Sequence, residues 1–197
     1  GLSKRLLLRI DGVGSFLLLR GERIGTGRAG PGATADLQLV SDLSERQAEI
    51  IRAGEDYFVV AKSGVRLAEQ WVDHALLQNG DRIRLGNRIR LNFVRPSQKS
   101  PTAVLDLGDG VRTTTDCRRV ILWSGPLLMG SARDCHIKLP PSVPGMILLE
   151  REGRLLLKPM GGGDAVPLFV GGQAVFGELR LTVTPWSDST GAGRIIG

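Results

Sequence analysis

The chain repeats its own opening. Residues 6–30 read "LLLRIDGVGSFLLLRGERIGTGRAG", followed at 35–39 by "ADLQL". Residues 103–111 then read "AVLDLGDGV" and 118–139 "RRVILWSGPLLMGSARDCHIKL". Both stretches give an apolar run, an Asp-Gly-Val turn, a second apolar run and a Gly turn. Each continues with Gly-[Thr/Ser]-[Gly/Ala]-Arg (Gly25 to Arg28, Gly130 to Arg133) and a short alternating strand. A repeat spacing of roughly 105 residues predicts two copies of one domain, because solenoid repeats are much shorter.

Within each copy the apolar period is two. "DLQLV", "YFVVA", "DRIRLG" and "RIRLNFV" alternate or form short apolar runs closed by Gly, Asn or Asp, and "HIKL", "MILLEREGRLLLKP" and "ELRLTVTP" behave likewise. This pattern specifies strands, and turn signals every 8–12 residues specify sandwiches or barrels. The expected fold is all-β, with two antiparallel β-sandwich domains in tandem. The first covers residues 1–95 and the second 104–186. The polar stretch "RPSQKSPTA" supplies a linker at 96–103, and the small, polar residues 187–197 form a disordered tail.

One hairpin can be placed in register by parity alone. Ile83 and Leu85 must share a face with Ile89, Leu91 and Phe93, leaving Arg82, Arg84, Arg88 and Arg90 outside. A two-residue loop would mix the faces. A three-residue loop, Gly86-Asn87-Arg88, pairs Leu85 with Ile89 and Arg84 with Arg90. Like charges then stand opposed, which costs a few tenths of a kcal/mol.

Several function classes lose support early. No apolar run approaches the ~18 residues of a membrane span. No secretory signal is visible, so a cytoplasmic chain is expected. Gly25-Thr26-Gly27-Arg28-Ala29-Gly30 matches G-x-G-x-x-G, but a dinucleotide loop must open a helix within a βαβ unit. Here Pro31 and Gly32 follow, and the next strand begins too soon for a crossover helix. Cys117 and Cys135 read as separate thiols, and His74 and His136 stand far apart, so neither a metal nor a cofactor is expected. No nucleophile, acid–base pair or triad is evident, and the chain reads as a non-enzyme. A net charge of +6 favours acidic or phosphorylated partners. The Arg82/Arg84/Arg88/Arg90 stripe leaves nucleic-acid binding as an alternative without interleaved aromatics to support it.

The first copy resembles the forkhead-associated (FHA) family. "LSERQAEI" (43–50) is similar to its Ser-Arg-x-His-Ala-x-Ile stretch, and "ALLQNGDRIRLGN" (75–87) to its Leu-x-x-Gly-Asp-x-Ile-x-Leu-Gly ending. "YFVVAKSGVRLAEQWV" (57–72) resembles its strand, Asn-Gly turn and strand pair, with Ser63-Gly64 at the turn. "IGTG" is placed at Ile-Gly-Arg. The segment 44–53 also fits a capping box, Ser44-x-x-Gln47, opening a helix; the flanking motifs favour a strand over 46–52. The resemblance implies a β-sandwich whose apical loops bind phosphothreonine peptides. The phosphate would be held by an Arg fork, a Ser hydroxyl and backbone N–H groups. It places Ser44 at the phosphate-binding serine, Thr26 at the arginine, Gln47 at the bracing histidine and Ser63 at the peptide-holding asparagine. Arg28 and Arg46 are the cations able to replace the one missing at Thr26, so Arg28, Ser44, Arg46, Ser63 and Gly64 form the candidate site. The implied partner is a phosphothreonine protein in a serine/threonine-kinase pathway; a phosphate-independent scaffold is the alternative. In the second copy Ser131 stands at the arginine, Gly171 at the Asn-Gly turn, and "PPSVPGMILLE" lacks the Ser-Arg-x-His pattern. Met146 and the leucines after it read as core.

Overall fold

Asp11-Gly12-Val13 reverses the chain between two leucine-rich strands, with Gly12 in the left-handed region at φ 78° and the Val13 N–H donating to the Ile10 carbonyl at 2.9 Å. The computed structural model describes residues 1–115 and 117–187; the expected tail from 188 onward lies outside them. The first repeat forms β1 (Arg5–Ile10), β2 (Gly14–Arg20), β3 (Arg23–Arg28), β4 (Leu37–Leu39), β5 (Ala48–Ala53) and β6 (Asp56–Ala61). It continues with β7 (Val65–Leu67), β8 (Gln70–Trp71), β9 (His74–Leu77), β10 (Arg82–Leu85) and β11 (Ile89–Val94). The second repeat forms β12 (Ala103–Leu107), β13 (Arg119–Trp123), β14 (Leu127–Gly130), β15 (Ile137–Lys138) and β16 (Met146–Arg151). It closes with β17 (Arg154–Pro159), β18 (Val166–Leu168), β19 (Gln173–Phe176) and β20 (Leu179–Pro185). There is no helix among the described residues, and the fold is all-β.

Three sheets hold these strands. A ten-stranded sheet runs β19-β20-β1-β2-β13-β12-β11-β10-β7-β8. Two five-stranded sheets, β4-β3-β5-β6-β9 and β15-β14-β16-β17-β18, cover it. They lie on opposite faces, as the alternation of burial along single strands shows. Leu17 and Leu19 of β2 and Val120 and Leu122 of β13 enter one core with Ile24, Ile50 and Val59. Leu18 of β2 and Ile121 and Trp123 of β13 enter a second core with Met129, Met146 and Leu148.

The packing units cross the division expected at 95–103, because the repeats exchange their N-terminal hairpins. β12 pairs antiparallel with β11, and Ala103, Leu105 and Leu107 complete the core of the first sandwich. Reciprocally, β1 pairs with β20, and Leu6, Leu8 and Ile10 complete the core of the second. The exchanged hairpins meet where β2 and β13 run parallel, Leu18 opposite Ile121. The polar stretch 95–103 is therefore a connection between neighbouring strands. Ser97, Ser100 and Thr102 within it are buried, and the Thr102 hydroxyl donates to the Ser124 carbonyl at 2.7 Å. Satisfied hydrogen bonds let these polar side chains sit inside.

The β10–β11 hairpin has the register that parity requires, Leu85 opposite Ile89 and Arg84 opposite Arg90, with Gly86 at φ 59° opening the loop. Residues 48–53 form a strand, and yet half of the capping box survives: Gln47 Oε1 accepts the Ser44 N–H at 2.9 Å. In the second repeat the match of 166–175 to the Asn-Gly turn is corrected. This segment is β18, a turn and β19, equivalent to β9–β10. Gly171 donates its N–H to Val183 just as Gly80 donates to Phe93, at 2.7 and 2.8 Å. The second repeat has no counterpart of β7 and β8 among the described residues, so β19 is a sheet edge.

Candidate functional site

Four loops converge at one end of the first sandwich, and small residues let them do so. A Cβ on Gly27 would lie 1.9 Å from the Glu45 carbonyl oxygen, so only glycine allows β3 to run this close to the β4–β5 loop. Beside it the Arg28 N–H donates to the Ser44 carbonyl at 3.1 Å, and Arg28 Nη1 to the Leu43 carbonyl at 3.4 Å. Gln47, buried at the loop's exit, ties the loops together. Its Oε1 takes the Ser44 N–H, and its Nε2 donates to the Gly64 carbonyl at 2.7 Å. Its own carbonyl accepts the N–H groups of Lys62 and Ser63, both at 3.0 Å. Gly86 closes the ring by donating to the Gly64 carbonyl at 2.9 Å.

The candidate residues fall into two groups. Arg28 and Ser44 are exposed neighbours, Ser63 is exposed on the β6-β7 loop, and the Gly64 carbonyl is consumed by Gln47 and Gly86. Arg46 lines a cavity of about 350 Å³ with Lys4, Arg23, Asp36, Glu49 and Lys62, and Arg28 is not part of that lining. Cations and carboxylates there already pair, Lys4 with Asp36 at 3.0 Å and Lys62 with Glu49 at 3.1 Å. Thr26 is 1% exposed and its hydroxyl donates to the Ala48 carbonyl at 3.1 Å.

Strand register moves the arginine position. In the parallel ladders Thr26 and Gly27 oppose Leu37 and Gln38, while Met129 and Gly130 oppose Ile137 and Lys138. Thr26-Gly27-Arg28 is thus equivalent to Met129-Gly130-Ser131, and Arg28 occupies the place that Ser131 takes in the second repeat. A further pair of bonds fixes this equivalence. Asp36 Oδ2 accepts the Gly25 N–H at 2.8 Å, and His136 Nδ1 accepts the Leu128 N–H at 2.9 Å. The match of Gly25 to Arg28 with Gly130 to Arg133 between the repeats is therefore corrected by two residues: Gly27-Arg28 is equivalent to Gly130-Ser131. The error arose because both Gly25 and Gly27 are followed by residues that fit a loop.

The second repeat lacks these parts. Thr26 opposes Ala48 and Met129 opposes Met146, so Gly145 stands where Gln47 does, and the bracing amide is gone. Serine replaces the cation. His136 is wholly buried, and its Nε2 lies 3.1 Å from the Thr102 carbonyl. Since Nδ1 accepts, Nε2 carries the proton. Burial pushes its pKa down to about 4, so the ring is neutral and serves as a structural hydrogen-bond bridge.

Neither a family model nor a curated protein matches the sequence. Among solved structures the chain is similar to the second FHA domain of a Mycobacterium tuberculosis ABC transporter. That match has 22% identity and a TM-score of 0.35, over 45% of this chain and 76% of that one. It is similar to an FHA domain from Chlamydia trachomatis at 23% identity and TM-score 0.32, over 42% of this chain and 89% of that one. It is also similar to the FhaA FHA domain, solved in complex with the intracellular domain of another protein. There the identity is 28% and the TM-score 0.31, over 41% of this chain and 91% of that one. What this chain is similar to, in each of these structures, is an FHA domain that matches less than half of its length.

Proposed function

We propose that the chain is a non-catalytic protein-interaction module whose first repeat reads phosphothreonine. The observation that carries this reading is the Gln47-braced ring of loops, which holds the exposed Arg28 beside the exposed Ser44. A guanidinium can fork onto two phosphate oxygens while a hydroxyl donates to a third, and Ser63, exposed on the β6-β7 loop, is offered to peptide main chain. The partners are proteins phosphorylated on threonine by serine/threonine kinases in the cytoplasm. The second repeat acts as a phosphate-independent support, because Ser131 and Gly145 stand where the cation and the brace do in the first.

Titration of the whole chain with a degenerate phosphothreonine peptide library, against the same library unphosphorylated, tests this. Selective binding is expected. Arg28→Ala should weaken it roughly ten- to hundredfold, the worth of a charge-assisted bond, and Ser44→Ala by less. Equal binding of both libraries, or none, would leave the scaffold reading in its place.

A further inference from the structure

At the β7-β10-β11 end of the ten-stranded sheet, the face turned away from the first core carries a row of arginines that the apical loops do not use. Arg66 opposes Arg84 across β7 and β10, and Arg84 opposes Arg90 across β10 and β11. Neighbouring strands lie ~4.8 Å apart, so three guanidinium stems cross about 10 Å of sheet in one line. Directly opposed like charges destabilise a sheet, and the compensation here is small. Glu69 pairs with Arg84 at 3.2 Å and with Arg66 at 3.6 Å. Its own side chain is 63% exposed, whereas those of Arg66 and Arg84 are 20% and 19% exposed. No ion pair of Arg90 occurs among the described residues, and Arg82 and Arg88 extend the positive face on either side.

Two features make this row more than a solvated edge. Arg66 and Arg84 are packed down: the Nε of each is buried without a hydrogen-bond partner, and the Arg66 guanidinium lies over the Trp71 ring at 4.8 Å. Their forks are held in place before any partner arrives, which lowers the ordering cost of binding. Glu69 is presented by a two-residue turn in which Ala68 and Glu69 both take positive φ, 49° and 67°. Such turns suit tight hairpins but favour Gly or Asn. The turn holds one exposed carboxylate over two confined arginines, where a stronger anion can replace it.

We propose that this face docks an acidic polypeptide segment of a partner protein, with Glu69 as the internal counter-ion that the segment displaces. Carboxylates on alternate residues of an extended segment stand about 7 Å apart on one side, so two of them fit the row. A polypeptide suits the face better than single-stranded nucleic acid, which draws on successive aromatic platforms. Here Trp71 is the one aromatic in the row, and Arg66 already covers it.

Fluorescence anisotropy with a labelled peptide of alternating glutamate and serine, against the glutamine–serine counterpart, tests the proposal on the whole chain. The acidic peptide should bind selectively and weaken as salt rises. The exposed Arg90→Gln should weaken binding several-fold and Arg66→Gln/Arg84→Gln at least tenfold, with thermal melts confirming that each variant is folded. Glu69→Gln should tighten binding several-fold, while Glu152→Gln, an equal change of net charge elsewhere, should not. Arg28→Ala should leave this binding unchanged, which separates it from phosphothreonine reading. No selectivity for the acidic peptide, equal binding by Arg90→Gln, no gain in Glu69→Gln, or tighter binding of an oligothymidine strand would each overturn the proposal.

Discussion

Gly27 and Gln47 shape the same apical ring by opposite means, one by having no side chain and the other by using every polar atom of its own. An added Cβ at Gly27 meets a backbone carbonyl at 1.9 Å, and backbone cannot step aside. Gly27→Ala should therefore cost about 3 kcal/mol in urea unfolding, the upper end of ordinary overpacking. Gly145→Ala is the control: its new Cβ meets the Met160 Sδ at 2.7 Å. That is the end of a flexible side chain, so the cost should be ~1 kcal/mol or less. A native-like stability for Gly27→Ala would mean that the loop at Glu45 is not held against β3. His136 carries a separate expectation. Its pKa falls from 6.5 to about 4, first through burial. Below pH 6.5 the unfolded chain takes up a proton that the folded one refuses, so stability is lost as pH falls from about 6.5 to about 4, by about 3 kcal/mol in all. His136→Asn can keep an acceptor for the Leu128 N–H, as Asp36 does for Gly25, and should flatten this part of the pH–stability profile. An unchanged slope would show that the acid sensitivity comes from other groups.

At the level of elements, legibility depended on whether neighbours in sequence are neighbours in the sheet. The β10–β11 register followed from Ile83, Leu85, Ile89 and Leu91 alone, because a hairpin closes on itself and parity leaves one loop length. Strand β5 was legible through its flanks, although Ser44 and Gln47 read equally well as a helix start; in the fold Gln47 keeps that local bond and spends its other end on Gly64. The match of Gly25 to Gly130 between the repeats was two residues out because GTGRAG offers two glycines in the same phase of a strand. What separates them is the close approach of Glu45, which lies far along the chain. The exchanged hairpins left only an indirect trace. Leu6-Leu7-Leu8, Leu17-Leu18-Leu19 and Val120-Ile121-Leu122-Trp123 are apolar without alternation, the mark of strands covered on both faces. That mark shows that β2 and β13 lie inside the molecule. It does not say which repeat covers them, since both hairpins carry the same mark.

For the molecule as a whole, the exchange makes each repeat depend on the other. Removing everything from Ala103 onward takes Ala103, Leu105, Leu107, Val120 and Leu122 from the first core. It also strips β11 of its neighbour β12. At ~1.5–3 kcal/mol for each large apolar side chain that loses its burial, the loss is comparable to the 5–15 kcal/mol that a domain has in total. The other fragment is no better placed, since its core loses Leu6, Leu8, Ile10, Phe16 and Leu18. Fragments cut within the connection should therefore fail to give cooperative melts alone, and should fold when refolded together into a one-to-one complex by size exclusion. A fragment could instead use its own hairpin, placing β1 where β12 now lies. Then it would melt cooperatively as a monomer, and mixing would add nothing. The core geometry argues against that outcome at full stability. The first core is fitted to Ala103, Leu105 and Leu107 of β12, and the larger Leu6 of β1 in the place of Ala103 would overpack it. Covalent linkage of the repeats would then serve to keep each hairpin at high local concentration near the sandwich that it completes.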